Sequence, residues 1–547
     1  MFLLRQYQRQ IDQFICSRSR RAFLIAIGLL TTAVGSIGVL VFVIGAPAMN
    51  GFAGDVPILL DGAWRIANGQ VPHRDFYNFL GDLPFYVTFL GMKIGRPCVS
   101  AIDYGNVVLM GAVSLAAIVL LCRRTTALCT FLFSLFIALL VVTPRSLGSP
   151  YDYTDHAMLY NRYGEAFVML LGIVLFLPRK AGTAGRIWPW VEAVFAGLLL
   201  VAALGSKMNY FAVGIGFVVA ACAFGRMKPA HLLVCLLSAG AFLALALALT
   251  KIPFSALLHD YRIMAGVQSF SAKMRGVAVQ GIKNILCLPV LFLLVWETYQ
   301  GQREGQGPRP QLWPHFFVIT VIFGAAILLL ATNAQIGEVP LLAFAALYGF
   351  EVLLSQPAPA ETPVFHSARH LGALLLVLLF LLPSLVTSLK TLRFAAYAAL
   401  GRRSVSTATI QSTRLNDFRF VFEGTRKMEM KDFMDSFDDG VQLLRRHLAS
   451  ETPVNIIVFA NPFQIALGWL PPRGGSLCVA KEGINRKSHP SLTRLLGDAP
   501  YIVTPHGCLE LKDIYGSAWE DLHLPVIEDT KYYTLFAVPK SLSIPSE

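Results

Sequence analysis

Runs of about 17 to 25 apolar residues recur along this chain from residue 22 to residue 390 and then stop. Each is long enough for an α-helix to cross a bilayer, whose ~30 Å hydrocarbon core takes about 20 residues. The pattern predicts eleven spans, at 22–46, 100–122, 125–143, 163–178, 188–205, 210–225, 231–250, 281–297, 314–332, 339–355 and 368–389. Beyond residue 390 the rhythm changes. A linker rich in Ser and Thr leads into a stretch at 430–448, where Phe433, Phe437, Val441 and Leu444 recur at helical spacing. Short strand-like runs follow at 454–459, 476–480, 501–504 and 533–538, separated by turns and helix-like segments, so a small α/β domain is expected there.

Composition supports a mainly α membrane bundle. Apolar residues make up 55% of the 547 and charged residues only 14%, far below the quarter usual in soluble domains. The expected division is a basic N-terminus at 1–21, a transmembrane domain at 22–390 with a long first outer loop at 47–99, and an α/β domain at 391–547. The N-terminus carries Arg5, Arg9, Arg18, Arg20 and Arg21, which hold it in the cytoplasm. Counting from there, the inward loops are basic: Arg123 and Arg124, then Arg179, Lys180 and Arg186, then Arg226 and Lys228, then Arg303 to Arg309, then Arg369. An odd number of spans places the tail domain outside, in the periplasm of a bacterial inner membrane.

The net charge of +13 comes from these scattered loop cations. No basic run is interleaved with aromatic residues, so nucleic acid is excluded as a partner, and membrane lipids remain. The nine cysteines form no Cys-x-x-Cys pair and no Cys/His set at metal spacing. Cys478 and Cys508, both in the tail, could bridge in an oxidising compartment.

Chemistry gathers in the outer loops. In the first, Asp55 precedes a short helical pattern (Ile58, Leu59, Leu60, Trp64, Ile66), and Asp61 stands four residues before Arg65. Asp55 is either a helix cap or a reactive acid, whereas Asp61 is placed to pair with Arg65. Gly69 and Pro72 then turn the chain so that His73, Arg74 and Asp75 return to the same surface. The third loop holds Tyr151, Asp152, Tyr153, Asp155, His156, Tyr160 and Arg162, a sugar-stacking surface or a solvated turn, with a divalent metal possible but not favoured. Lys207, between two closely spaced spans, either snorkels or points into a polar cavity.

The first-loop pattern, Asp55, then Asp61-Gly-Ala-Trp64, Gly69-x-x-Pro72-x-Arg74-Asp75-Phe76 and Leu83-Pro84, resembles the GT-C class of membrane glycosyltransferases, which includes protein O-mannosyltransferases and lipid A aminoarabinose transferases. Many relatives carry an Asp-Glu pair where this chain has Asp55 followed by Val56. The resemblance implies transfer of a sugar from a polyprenyl-phosphate carrier to an envelope glycan, lipid or protein, with inversion. It implies Asp55 as general base and Asp75 as its helper or alternative. Arg65, His73, Arg74, Tyr160, Arg162, Lys207 and Tyr210 are then the candidates for holding sugar and phosphate. A flippase, transporter or ligase for lipid-linked sugars is the competing reading.

Overall fold

The computed structural model describes residues 17–180, 185–267, 270–293, 296, 313–333, 337–354, 363–401, 407–410, 414–422, 427–450, 452–480, 483–506 and 511–539. Within these, the chain is mainly helical. The bundle comprises α1 (Arg20–Ile44), α2 (Asp55–Ala67), α3 (Leu83–Ile94), α4 (Ser100–Leu121), α5 (Ala127–Val142), α6 (Leu159–Phe176), α7 (Trp188–Ser206), α8 (Met208–Ala223) and α9 (Pro229–Thr250). It continues with α10 (Phe254–Val267), α11 (Phe270–Asn284), α12 (Cys287–Leu293), α13 (Trp313–Thr332), α14 (Pro340–Leu354) and α15 (Pro363–Ala399).

Among the described residues, seven helices are long and apolar enough to cross a membrane, and the pair α11–α12, bent by 56°, makes an eighth if it is one span. The expected spans at 125–143, 210–225 and 339–355 fall on the shorter apolar helices α5, α8 and α14. Local chemistry sets several boundaries. Ser19 Oγ accepts the Ala22 amide at 3.1 Å to start α1, which ends at Gly45 with φ +63°. Where α3 and α4 cross, backbones touch: a Cβ on Gly91 would lie 1.8 Å from the Ala101 carbonyl oxygen, so only glycine fits.

The C-terminal region builds a four-stranded sheet from β3 (Val454–Ile456), β4 (Tyr501–Pro505), β5 (Val526–Asp529) and β6 (Tyr533–Ala537), ordered β3-β4-β6-β5. β3 and β4 are parallel, and the other pairs antiparallel. The helix expected at 430–448 is α16 (Lys427–His447), whose Phe437 stacks on Phe463 with ring centroids 5.7 Å apart. A small hairpin of β1 (Thr407–Thr409) and β2 (Arg419–Val421) precedes it. The run at 476–480 is not a strand of this sheet. Its backbone pairs with the first loop instead, Tyr77 N donating to Gly475 O at 3.0 Å and Leu477 N to Tyr77 O at 3.2 Å. Cys508 lies outside the described residues, and Cys478 is buried.

The tail is fastened to the bundle at one end. Asp417 accepts the amides of Val99 and Ser100 (3.1 and 2.9 Å), capping α4 from a distant part of the chain. Trp64 Nε1 donates to Trp469 O at 2.9 Å, and Gln70 Nε2 to Pro471 O at 2.7 Å. One apolar core runs continuously from α1 through the helices into the tail sheet.

Candidate active site

The first loop is built as a tight platform under the tail domain. Asp61 and Arg65 pair at 3.0 Å, both almost fully buried, as their four-residue spacing predicts. The Arg65 guanidinium also donates to Gln70, Pro472 O and Gly474 O, so its hydrogen bonds go to the loop and the tail. Burial raises the Asp61 carboxyl, and Arg65 opposes that shift.

Asp55 occupies the first turn of α2, half-buried, while Gly54 holds the cap position and makes no side-chain cap bond. The positive end of the helix favours a carboxylate there. Asp75 is clasped within its own turn: Oδ2 accepts the Val71 amide at 2.7 Å, and the exposed Arg74 forks onto both carboxylate oxygens at 3.0 and 2.8 Å.

His73 takes a left-handed backbone, φ +65°, that turns its ring inward. Nδ1 lies 2.9 Å from Asp260 and Nε2 3.2 Å from Asp82. Burial alone would lower its pKa, but the two carboxylates outweigh that and raise it to about 9. Arg494 of the tail grips Asp260 at 2.6 Å, so this cluster ties the first loop, α10 and the tail together.

A second polar centre lies among the helix ends beneath the loop. Lys207, in the break between α7 and α8, donates to Asn333 Oδ1 at 2.9 Å and stands 4.9 Å from the Tyr160 ring centroid. Asn209 donates to the same oxygen at 2.8 Å, and Asn333 Nδ2 donates to the Tyr210 hydroxyl at 3.0 Å. Asn161 Nδ2 donates to the Asn333 carbonyl at 3.2 Å, joining the start of α6 to this group. Lys207 is therefore held among polar side chains of the neighbouring helix ends. Burial lowers its ammonium pKa to about 8, with Lys273 adding to the fall.

Arg162, one residue along, is 2% exposed, and none of its three guanidinium nitrogens has a hydrogen-bond partner among the described residues. Its neighbours are also incompletely used. Asp155 Oδ1 accepts from Ser146 and the Ala157 amide at 2.7 and 2.9 Å, while Oδ2 has no hydrogen-bond partner. His156 Nε2 lies 3.1 Å from Asp103, and Nδ1 has no hydrogen-bond partner. Asp155 and Asp103 are near enough to act on its charge, but a buried guanidinium without hydrogen bonds is still expensive.

The two centres are joined through the third loop. Asn50 exchanges hydrogen bonds with it, accepting from Thr154 N at 2.8 Å and donating to Asp152 O at 2.5 Å. Phe52 meets Tyr153 edge-on at 5.9 Å. A Cβ on Gly51 would sit 2.0 Å from the Tyr153 ring, so the segment leading into Asp55 lies flat against the loop that leads into Arg162. Of the sequence candidates, Tyr160, Lys207 and Tyr210 thus gather in one place, while Arg162, two residues beyond Tyr160 on α6, faces Asp155 and Asp103. Asp55 stays in the first turn of α2, and Arg65, His73, Arg74 and Asp75 belong to the platform. Asp260, Arg494 and Asn333 escaped the sequence reading; Asn333, a polar residue at the end of a span, carried the same signal as Lys207. Among the described residues, no three His, Cys, Asp or Glu side chains are grouped to hold a metal ion.

No family model matches the chain, and no curated protein matches it. Two solved structures align with it. ArnT from Cupriavidus metallidurans bound to undecaprenyl phosphate shares 13% identity, with 95% of this chain and 99% of that chain covered and a TM-score of 0.44. The same protein in its apo state gives 14% identity, 95% and 100% coverage and a TM-score of 0.43.

Proposed function

We propose that this chain is a GT-C glycosyltransferase of the bacterial inner membrane that moves a sugar from a polyprenyl-phosphate carrier to a hydroxyl of an envelope glycan, lipid or protein. The N-terminus faces the cytoplasm in this reading, and the tail domain and first loop face the periplasm. The observation that carries it is Arg162, a buried guanidinium whose three nitrogens make no hydrogen bond among the described residues.

The step is an in-line displacement. Asp55 removes the proton from the acceptor hydroxyl, and the acceptor oxygen bonds to the anomeric carbon from the face opposite the phosphate. The carbon–oxygen bond to the phosphate breaks with its electron pair, leaving the polyprenyl phosphate and an inverted glycoside. Arg162 and Lys207 stabilise the charge that grows on the departing phosphate, and fixed cations in a water-poor site do this without reorganising. Tyr160 and Tyr210 offer aromatic faces beside the sugar. Asp75, clasped by Arg74, and the His73 cluster hold the loop that carries Asp55, and Arg65 anchors that loop to the tail.

The test is release of free polyprenyl phosphate when membranes containing the protein meet a panel of polyprenyl-phosphate sugars and an envelope extract. Wild-type protein should release it from one donor, and Asp55→Asn should be slower by about 100- to 10,000-fold, the range for a general base. Equal release by both would remove Asp55 from the chemistry. Donor binding with no release by either would favour a carrier-lipid transporter.

A further inference from the structure

At the other end of the bundle lies a cavity with no part in this chemistry. It encloses about 510 Å³ and is lined by Arg124, Arg179, Lys180, Arg226, Lys228 and His231, with no carboxylate in its wall. Glu192 pairs with Arg124 through Oε1 at 2.7 Å and with Arg179 through Oε2, but Arg226 and Lys228 are exposed and make no ion pair among the described residues. The cavity therefore carries surplus positive charge.

The turn at 224–226 separates it from an apolar groove of about 540 Å³, lined by Phe224, Phe292, Trp313, Phe316 and Phe317. Phe224 and Phe317 pack with ring centroids 4.5 Å apart in the floor of the groove. Around both openings stand exposed aromatics, Trp190 at 42% and Trp313 at 83%, the residues that settle at headgroup level in a bilayer. A cationic chamber joined to an aromatic groove at the membrane surface has the outline of an amphiphile with an anionic head.

We propose that this is a binding site for an anionic glycerophospholipid, its phosphate in the chamber and an acyl chain in the groove. The occupant comes from the surrounding leaflet and not from the reaction. α6 has Arg162 in its first turn, and its end supplies the Val174 and Leu177 carbonyls bonded by Arg124. Those points are about 20 Å apart at 1.5 Å per residue, so a carrier phosphate held at Arg162 cannot reach the chamber.

The experiment is native mass spectrometry of the full-length protein released from bilayers of phosphatidylethanolamine and phosphatidylglycerol. Wild-type protein should retain phosphatidylglycerol in preference to phosphatidylethanolamine. The double variant R226Q/K228Q should lose about ten- to thirtyfold of that preference, as expected for two cations near an anionic headgroup. Because Arg226 also lies 3.5 Å from the Tyr348 hydroxyl, a photoactivatable phosphatidylglycerol on the unmodified protein gives a reading independent of the variant's folding, and it should label residues 313–320. Equal retention of the two lipids, label confined to other helices, displacement by inorganic phosphate alone, or preferential retention of polyprenyl phosphate by these cations would each overturn the proposal.

Discussion

Two arginines on the same bundle, Arg124 and Arg162, are both 2% exposed and have opposite surroundings. Arg124 pairs with Glu192 at 2.7 Å and donates to the carbonyls of Leu120, Val174 and Leu177. Nearby, Arg18 pairs with Glu351 at 3.0 Å, and Thr125 donates to the same carboxylate. Arg162, at the start of the helix that ends beside Arg124, has no side-chain hydrogen bond among the described residues. The first arrangement is finished without a ligand, and the second is not. Burying charge is tolerated where partners complete it, and under the proposed function the hydrogen bonds Arg162 lacks are those the carrier phosphate would supply.

The contrast is broken most severely at the completed end. Arg124→Met leaves Glu192 with Arg179 alone and should destabilise the protein by about 3–5 kcal/mol, read as a fall in its unfolding midpoint, with activity per folded molecule unchanged. Arg162→Gln should do the reverse. The unfolding midpoint should hold or rise, while transfer falls by about 100- to 1,000-fold, the loss typical of removing one donor that stabilises developing charge.

The pH dependences sharpen the same comparison. The pKa of His73 is raised to about 9, so its clasp between Asp82 and Asp260 contributes stability that is fully present below about pH 6.5 and is lost as pH rises towards 9. Unfolding midpoints measured across that window should fall for wild type and stay flatter for His73→Gln. The pKa of Lys207 is lowered to about 8, so its charge is present below that pH and disappears above it. Affinity for a polyprenyl phosphate should weaken above pH 8 by at most about tenfold per unit, and Lys207→Arg should move the fall to higher pH. The smallest effect is expected at the half-exposed Arg74–Asp75 pair, where Arg74→Ala should cost no more than about 1 kcal/mol of stability.

Much of the bundle was legible because a membrane imposes a simple rule: the expected spans fall on helices, except that at 281–297, which straddles the bend between α11 and α12. The Asp61–Arg65 pair was legible for a similar reason, since helical spacing fixes it. The tail was harder to read. The run at 476–480 has strand composition, but its partner is Tyr77, hundreds of positions earlier, and no local pattern announces that pairing. The same reason hid the His73 cluster, whose Asp260 and Arg494 come from α10 and the tail. Arg162 was visible as an outer-loop cation, but only the packing around it separates it from Arg145, which pairs with Glu338 at 2.7 Å.

The most direct test is thermal unfolding of the full-length protein, wild type and Arg162→Gln, with and without a polyprenyl phosphate. Binding to the folded state raises the midpoint by mass action. The wild type should gain from the ligand, and Arg162→Gln, at least as stable alone, should gain almost nothing. An equal gain for both proteins would contradict the assignment of Arg162 as the cation that awaits the phosphate.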